Sequence, residues 1–173
     1  MQPSPARVTI VSGDVTRELR RRVLRPYQAV SDPLPGDGIA DAVHFAILDD
    51  DGRTPLAACF LLPEGYPWPQ TADSPPTTGD LWHLRAVATE PARQRTGLGQ
   101  VLMSRVADYV AGQGGGVLWC NARTPAVPFY ERLGMVTYGD EHISHGLAHF
   151  YMWRVIEPRR AAAGEARLDQ ASA

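Results

Sequence analysis

Short apolar runs alternate with longer periodic stretches along the chain, and most can be read as single elements. Val8 to Val11 predicts a short strand. Thr16 to Leu24 places Leu19, Val23 and Leu24 on one helical face among basic residues, with Asp14 or Thr16 as the cap and Pro26 as the stop. Ser31 to Asp41 is rich in Pro, Gly and Asp and predicts a loop. Ala42 to Leu48 and Thr54 to Leu62 read as strands joined by a hairpin turn at Asp49-Asp50-Asp51-Gly52. Leu81 to Thr89 predicts a further strand. Leu98, Val101, Leu102, Val106 and Val110 then recur at helical spacing up to Val110. Val117-Leu118-Trp119-Cys120-Asn121 reads as a buried strand. A short helix follows, with Thr124 as its N-cap, Pro125 in its first turn and Gly134 at its C-terminal end. Thr137 to Ile143 and Ala148 to Val155 predict two last strands with Gly146 at their turn. Strands at both ends with helices between strands imply an α/β, mixed and strongly twisted sheet flanked by helices.

Composition narrows the class without naming a substrate. The 173 residues suit one domain, with 44% hydrophobic and 21% charged residues, as in ordinary globular proteins. We expect that domain to span residues 1–156. An Ala- and Arg-rich tail, 157–173, is expected to be disordered. The formal net charge of −2 gives no global field for nucleic acid or an anionic membrane. No apolar run is long enough to cross a bilayer and no signal-peptide pattern is visible, so the expected location is cytoplasmic. Cys59 and Cys120 lie in apolar runs and read as buried thiols rather than a disulfide. Pro63 to Asp80 is long for a connection inside a compact domain. It reads either as a surface insertion or as a wall of an acceptor pocket, with Tyr66 or Trp68 packing on substrate.

The first candidate chemistry lies between the strand at 81–89 and the long helix. Arg93-Gln94-Arg95-Thr96-Gly97-Leu98-Gly99 joins a strand to a helix through a basic, glycine-containing turn. Glycines allow close backbone approach, and the helix start adds unpaired N–H donors and the positive end of a dipole. A phosphorylated ligand is the natural occupant. The Walker pattern fails because no Gly-Lys-Ser/Thr follows. The dinucleotide fingerprint fails because Leu102 stands where its third glycine belongs.

The spacing of two motifs resembles the GNAT superfamily of acyl-CoA-dependent N-acyltransferases. Gln94, Gly97 and Gly99 match the family's Gln/Arg-x-x-Gly-x-Gly/Ala pattern. Asn121, Tyr130 and Gly134 match its downstream Asn, Tyr and Gly, with Met135 in place of the usual Phe. The resemblance covers roughly Val8 to Val155. It implies a GNAT fold: six or seven strands in a mixed sheet with a splayed central pair, flanked by about four helices. It also implies acetyl-CoA as the acyl donor. The pantetheine would pair with the backbone of Ala86, Val87 and Ala88, and the pyrophosphate would rest on N–H groups from Gln94 to Gln100, with Arg93 and Arg95 adding charge. Cofactor contacts are thus expected from Arg93, Gln94, Arg95, Thr96, Gly97, Leu98, Gly99, Gln100, Asn121 and Tyr130. Asn121 either bonds pantetheine or caps the following turn. The resemblance places Tyr130 beside the thioester, where it is either the general acid that protonates the sulfur or an aromatic packed on its helix like Phe129, and the backbone N–H of Val87 is the candidate oxyanion donor.

Acyl transfer to an amine needs deprotonation as well. An alkyl amine of pKa about 10.4 is about 3.4 units from neutrality at pH 7, or roughly 4.6 kcal/mol. His83 is the candidate base on the strand facing the cleft, sharing a face with Arg85 by alternation. Glu141, His145 and His149 on the last two strands are further candidates, as is a water chain. Arg85 either binds a substrate carboxylate or pairs with an acid, and Glu141 and His149 are placed near the acceptor. His142, His145 and His149 do not match a zinc pattern, so no metal is expected. The reading is an N-acetyltransferase acting on a primary amine of a small molecule or peptide by direct attack in a ternary complex. The alternative is a non-catalytic acyl-CoA-binding module. A homodimer through sheet-edge or C-terminal strand pairing suits this architecture.

Overall fold

A computed structural model describes residues 6–159. Seven strands form one sheet in the order β1-β2-β3-β4-β5-β7-β6. They are β1 (Val8–Val11), β2 (Val43–Leu48), β3 (Pro55–Pro63), β4 (Leu81–Thr89), β5 (Gly116–Arg123), β6 (Val136–Ser144) and β7 (Leu147–Ile156). The helices are α1 (Gly13–Leu24), α2 (Leu98–Gly112) and α3 (Val127–Arg132), with two single 3-10 turns at Pro91–Arg93 and Thr124–Ala126. Among the described residues these are three α-helices and two 3-10 turns, where the resemblance implies about four helices.

Alternation along β3 and β4 sorts the two faces. Ala57, Cys59, Leu61, Trp82 and Leu84 join the main core with Leu102, Met103, Val106 and Val110 of α2. Burying each large aliphatic side chain there stabilises the fold by about 1.5–3 kcal/mol. On the other face Ala58 and Ala88 pack with Leu19 of α1. Two readings of the helices change. Val101 is 39% exposed and Met103 takes its place in the core, because the buried stripe runs through Leu102, Val106 and Val110. Helix α1 begins earlier than expected, with Ser12 as its N-cap, while the Thr16 hydroxyl donates to the Gly13 carbonyl.

Only one neighbouring pair in the sheet is parallel. Strands β4 and β5 pair from Leu81 with Val117 to Leu84 with Cys120, and beyond those residues they have no register partners in each other. The fork that results is the fold's main functional feature. Strand β4 also carries a bulge against β3: Ala58 pairs with Ala88 and Phe60 with Arg85, leaving Ala86 and Val87 opposite a single residue. Ala86 has φ 51°, unusual for a residue with a Cβ. The bulge reverses the alternation, so Arg85 and Ala88 lie on the α1 face while Val87 packs toward the main core.

The Pro-rich segment at residues 63–80 is tied down. Tyr66 stacks on Trp68 with ring centroids 4.6 Å apart, and Trp68 lies 4.5 Å from Tyr151 and 4.9 Å from Tyr138. The Tyr66 hydroxyl donates to the Pro76 carbonyl at 2.8 Å. Of the tail, residues 160–173 lie outside the described part, while the N–H of Arg159 donates to the Ala111 carbonyl.

Candidate active site in the forked sheet

A cavity of about 300 Å³ opens where β4 and β5 part. Its α2-facing end is apolar, with Leu84, Cys120, Ala122, Ala126 and Tyr130. Its α1-facing end is lined by Arg20, Arg25, Arg85, Arg123, His83, Asn121 and His149, with Ser144 and His145 from the β6–β7 turn. The bulged Ala86 and Val87 complete the β4 wall.

The glycine turn stands at the head of α2. None of the described backbone hydrogen bonds uses an N–H from Arg95 through Gln100, whereas Val101 already donates to the Gly97 carbonyl. A run of free donors at a helix start fits a diphosphate. The two glycines do different work. Gly97 is the N-cap at φ 88°, a left-handed conformation that a Cβ resists. Gly99 leaves room for Phe129: a Cβ there would meet two ring carbons at 3.2 Å. The Gln94 side chain is spent on the loop itself, donating to the Thr89 carbonyl at 3.3 Å, and the Thr96 hydroxyl donates to the Arg93 carbonyl at 2.6 Å. Arg93 and Arg95 are exposed beside this turn.

Tyr130 is 7% exposed, and burial, then Cys120 and Cys59, pushes its phenol well above the ordinary range. It is therefore a protonated donor at every working pH. Asn121 turns its Oδ1 to His142 Nε2 at 3.1 Å and does not cap the following turn. Thr124 does not cap α3 by its side chain either. Its hydroxyl donates to Glu141 at 2.6 Å, which ties Glu141 to the surface and away from the cavity lining.

His83 is 9% exposed and stacks on Trp119 with centroids 3.6 Å apart. Its Nδ1–H donates to Glu64 Oε2 at 2.5 Å. Burial lowers its pKa to about 4 against the opposing pull of Glu64, with Arg85 adding to the depression. His149 is also buried, and its Nδ1 faces the Leu147 carbonyl at 2.8 Å. A carbonyl only accepts, so Nδ1 carries a proton and donates it, while Nε2 makes no hydrogen bond among the described contacts.

The structure brings together His83, Arg85, Ala86, Val87, Asn121, Tyr130, His145 and His149. It does not bring Tyr66, Trp68 or Glu141 to the cavity. The aromatic pair is consumed by packing on Trp119 and Tyr151, which fixes the segment that carries Glu64. Several residues escape the sequence reading. Arg20 is 2% exposed and donates to Thr16, Pro35, Gly13 and Asp37, tying α1 to the loop that holds Leu34 and Pro35 against the cavity. The Arg123 guanidinium donates to the Leu24 carbonyl at 2.8 Å, joining β5 to the end of α1. Glu64 was also hidden, because its partner lies 19 residues away. Arg20, four residues after Thr16 and next to Leu19, did carry a faint signal of a buried helical position. Among the described residues no group of three or more His, Cys, Asp or Glu converges as a metal site, and no helix is long and apolar enough to cross a membrane.

Residues 75–155 match the family model of the acetyltransferase (GNAT) domain. The uncharacterized N-acetyltransferase YitI of Bacillus subtilis (strain 168) is 24% identical over 155 residues, covering 88% of this chain and 98% of that protein. A crystal structure of an aminoglycoside 6'-N-acetyltransferase complexed with coenzyme A superposes with a TM-score of 0.66 at 14% identity, over 90% of this chain and 99% of that one. An acyl-CoA N-acyltransferase from Pseudomonas aeruginosa gives 0.64 at 21% identity, over 86% and 99%.

Proposed function

We propose that this chain, whose residues 75–155 match the acetyltransferase (GNAT) domain model, transfers an acetyl group from acetyl-CoA to a primary amine by direct attack inside the forked sheet. The observation that carries this reading is the parting of β4 from β5 beyond Leu84 and Cys120, with a cavity at that point lined by residues from both faces of the sheet.

Acetyl-CoA supplies the activated carbonyl and the thiolate leaving group. The N–H groups from Arg95 to Gln100 and the start of α2 hold the diphosphate, and Arg93 and Arg95 add positive charge. The β4 backbone at Ala86, Val87 and Ala88, which β5 leaves unpaired, receives the pantetheine arm. The Val87 N–H stabilises the carbonyl oxygen as it gains negative charge. The amine enters from the α1 face. A C–N bond forms, the C–S bond breaks, and the amine nitrogen becomes acidic as it turns amide-like. His149 takes that proton on Nε2, directly or through a water. His83 is neutral at pH 7 because its pKa lies near 4, with its one ring proton on Nδ1 toward Glu64 and Nε2 unprotonated. It orients the amine as an acceptor but is too weak to take the proton outright. Tyr130 delivers a proton to the sulfur, and the free thiol leaves.

A thiol-release assay with acetyl-CoA and a panel of primary amines tests the reading. Turnover with at least one amine, together with an acetylated product of the expected mass, supports it. Tight acetyl-CoA binding with no transfer to any amine would instead favour a non-catalytic binding module.

A further inference from the structure

All of the chain's positive side chains other than histidine are arginines. Four of them, Arg20, Arg25, Arg85 and Arg123, line the one cavity in the fork, and its lining contains no Asp or Glu. Arg20 is neutralised by Asp37 at 2.9 Å. Among the described residues no ion pair engages Arg25, Arg85 or Arg123. Each comes from a different element: Arg25 follows α1, Arg85 precedes the β4 bulge and Arg123 ends β5.

Most of the hydrogen-bonding capacity of these three stays unused among the described contacts. The Arg85 guanidinium lies 5.9 Å from the centre of the Phe60 ring and gives no described hydrogen bond. Arg123 uses one nitrogen on the Leu24 carbonyl and keeps the rest of its fork free. Like charges gathered in a half-buried cavity repel one another and are costly without a counter-ion. Burial lowers the pKa of Arg85; the field of Glu64 opposes this, and Arg25 adds a smaller depression. They also lie on the α1 face, whereas the free N–H groups at the head of α2 are a separate anion site.

We propose that Arg25, Arg85 and Arg123 form an anion subsite that selects an acceptor amine bearing a carboxylate, an amino acid or a molecule of that size. The proposal rests on the acetyl-transfer reading and deepens it. Planar guanidinium forks match a carboxylate in two parallel hydrogen bonds. A cavity of about 300 Å³, shared with the acyl end, holds a small acceptor and not a large one. The same positive field repels polyamines and aminoglycosides.

The experiment compares matched acceptors with the intact protein and acetyl-CoA. A set of amino acids is assayed against the corresponding carboxamides, with spermidine as the polycation, by thiol release. Acetyl-CoA binding is measured in parallel by calorimetry. The carboxylates are expected to exceed their carboxamides in kcat/KM by about tenfold or more. Arg25→Gln and Arg85→Gln should collapse that ratio toward one through a raised KM for the carboxylate, with acetyl-CoA affinity retained as the check on folding. Equal or better transfer to the carboxamides, or a preference for spermidine, overturns the subsite and leaves the acetyl-transfer reading standing. Retention of the ratio in both variants also overturns it. Failure of every amine while acetyl-CoA still binds overturns both.

Discussion

Replacing Tyr130 by Phe removes one oxygen from a side chain that is 7% exposed. The ring packs edge-on against Phe129 with centroids 5.1 Å apart, and that contact survives the change. Burial and the nearby thiols govern the environment of the hydroxyl, and no hydrogen bond to a protein group contributes. Its loss therefore strands no partner, and stability should change by less than about 1 kcal/mol. The effect on rate should be far larger. A positioned general acid contributes about 10²–10⁴-fold. A thiol of pKa about 8.5 leaves fairly well unaided, so the low end applies: about 10²-fold in kcat, or roughly 2.7 kcal/mol. The assay is single-turnover thiol release at pH 7 to 9, with urea denaturation as the stability control. Because the phenol stays protonated throughout this range, the ratio of wild type to variant should not change across it. A Tyr130→Phe rate within twofold of wild type, with chemistry rate-limiting, would refute the proton-donor role.

Other outcomes follow from the same geometry. His83→Phe keeps the stack on Trp119 and removes a titrating group. The folded pKa of about 4 lies below the ordinary 6.5, so the unfolded chain binds more protons between those values and stability rises with pH through that window. At about 1.4 kcal/mol per unit, wild type should lose about 3 kcal/mol more than the variant from pH 6.5 to 4, read by urea denaturation. Equal pH slopes would contradict this. Gly97→Ala meets no neighbour within 4 Å but forces a Cβ onto φ 88°, at a cost of about 1–2 kcal/mol, and should weaken acetyl-CoA binding in a calorimetric titration. Gly99→Ala should instead perturb the packing of Phe129 and cost about 1–3 kcal/mol in urea denaturation. Asp37→Asn leaves the buried Arg20 without its carboxylate. Because Asp37 is 22% exposed and Arg20 keeps its other hydrogen bonds, the loss should be about 1–3 kcal/mol by the same measurement. Burial opposes ionisation of Asp37, but the Leu34 N–H and then Arg20 and Arg17 outweigh it and hold its pKa below the usual value. This contribution should be present above the unfolded pKa and disappear as pH falls through the lower folded value.

What could be read from the sequence was what repeats locally. The strand periods at 81–89 and 117–121, the helical spacing from Leu98 to Val110 and the glycines at 97 and 134 each lie within a few residues of their cause. What could not be read depends on partners distant in the chain. Ala86 looks like any strand alanine, yet its φ of 51° comes from the register that Ala58 and Phe60 impose. Arg25, Arg85 and Arg123 are unremarkable singly and become a cluster only once α1 crosses the fork. Tyr66 and Trp68 carried a pattern suited to a pocket wall, but three aromatic rings on β5, β6 and β7 were better partners.

The position at which acetyl-CoA binds is the most direct test of the forked site. Amide NMR of the nitrogen-15-labelled protein during a titration with acetyl-CoA reads this residue by residue. Saturable shifts are predicted together at Val87 on the open edge of β4 and at Thr96 through Gln100 at the head of α2. No shift at millimolar ligand, or shifts confined to other strands, would contradict the claim that the fork and the helix head share one coenzyme.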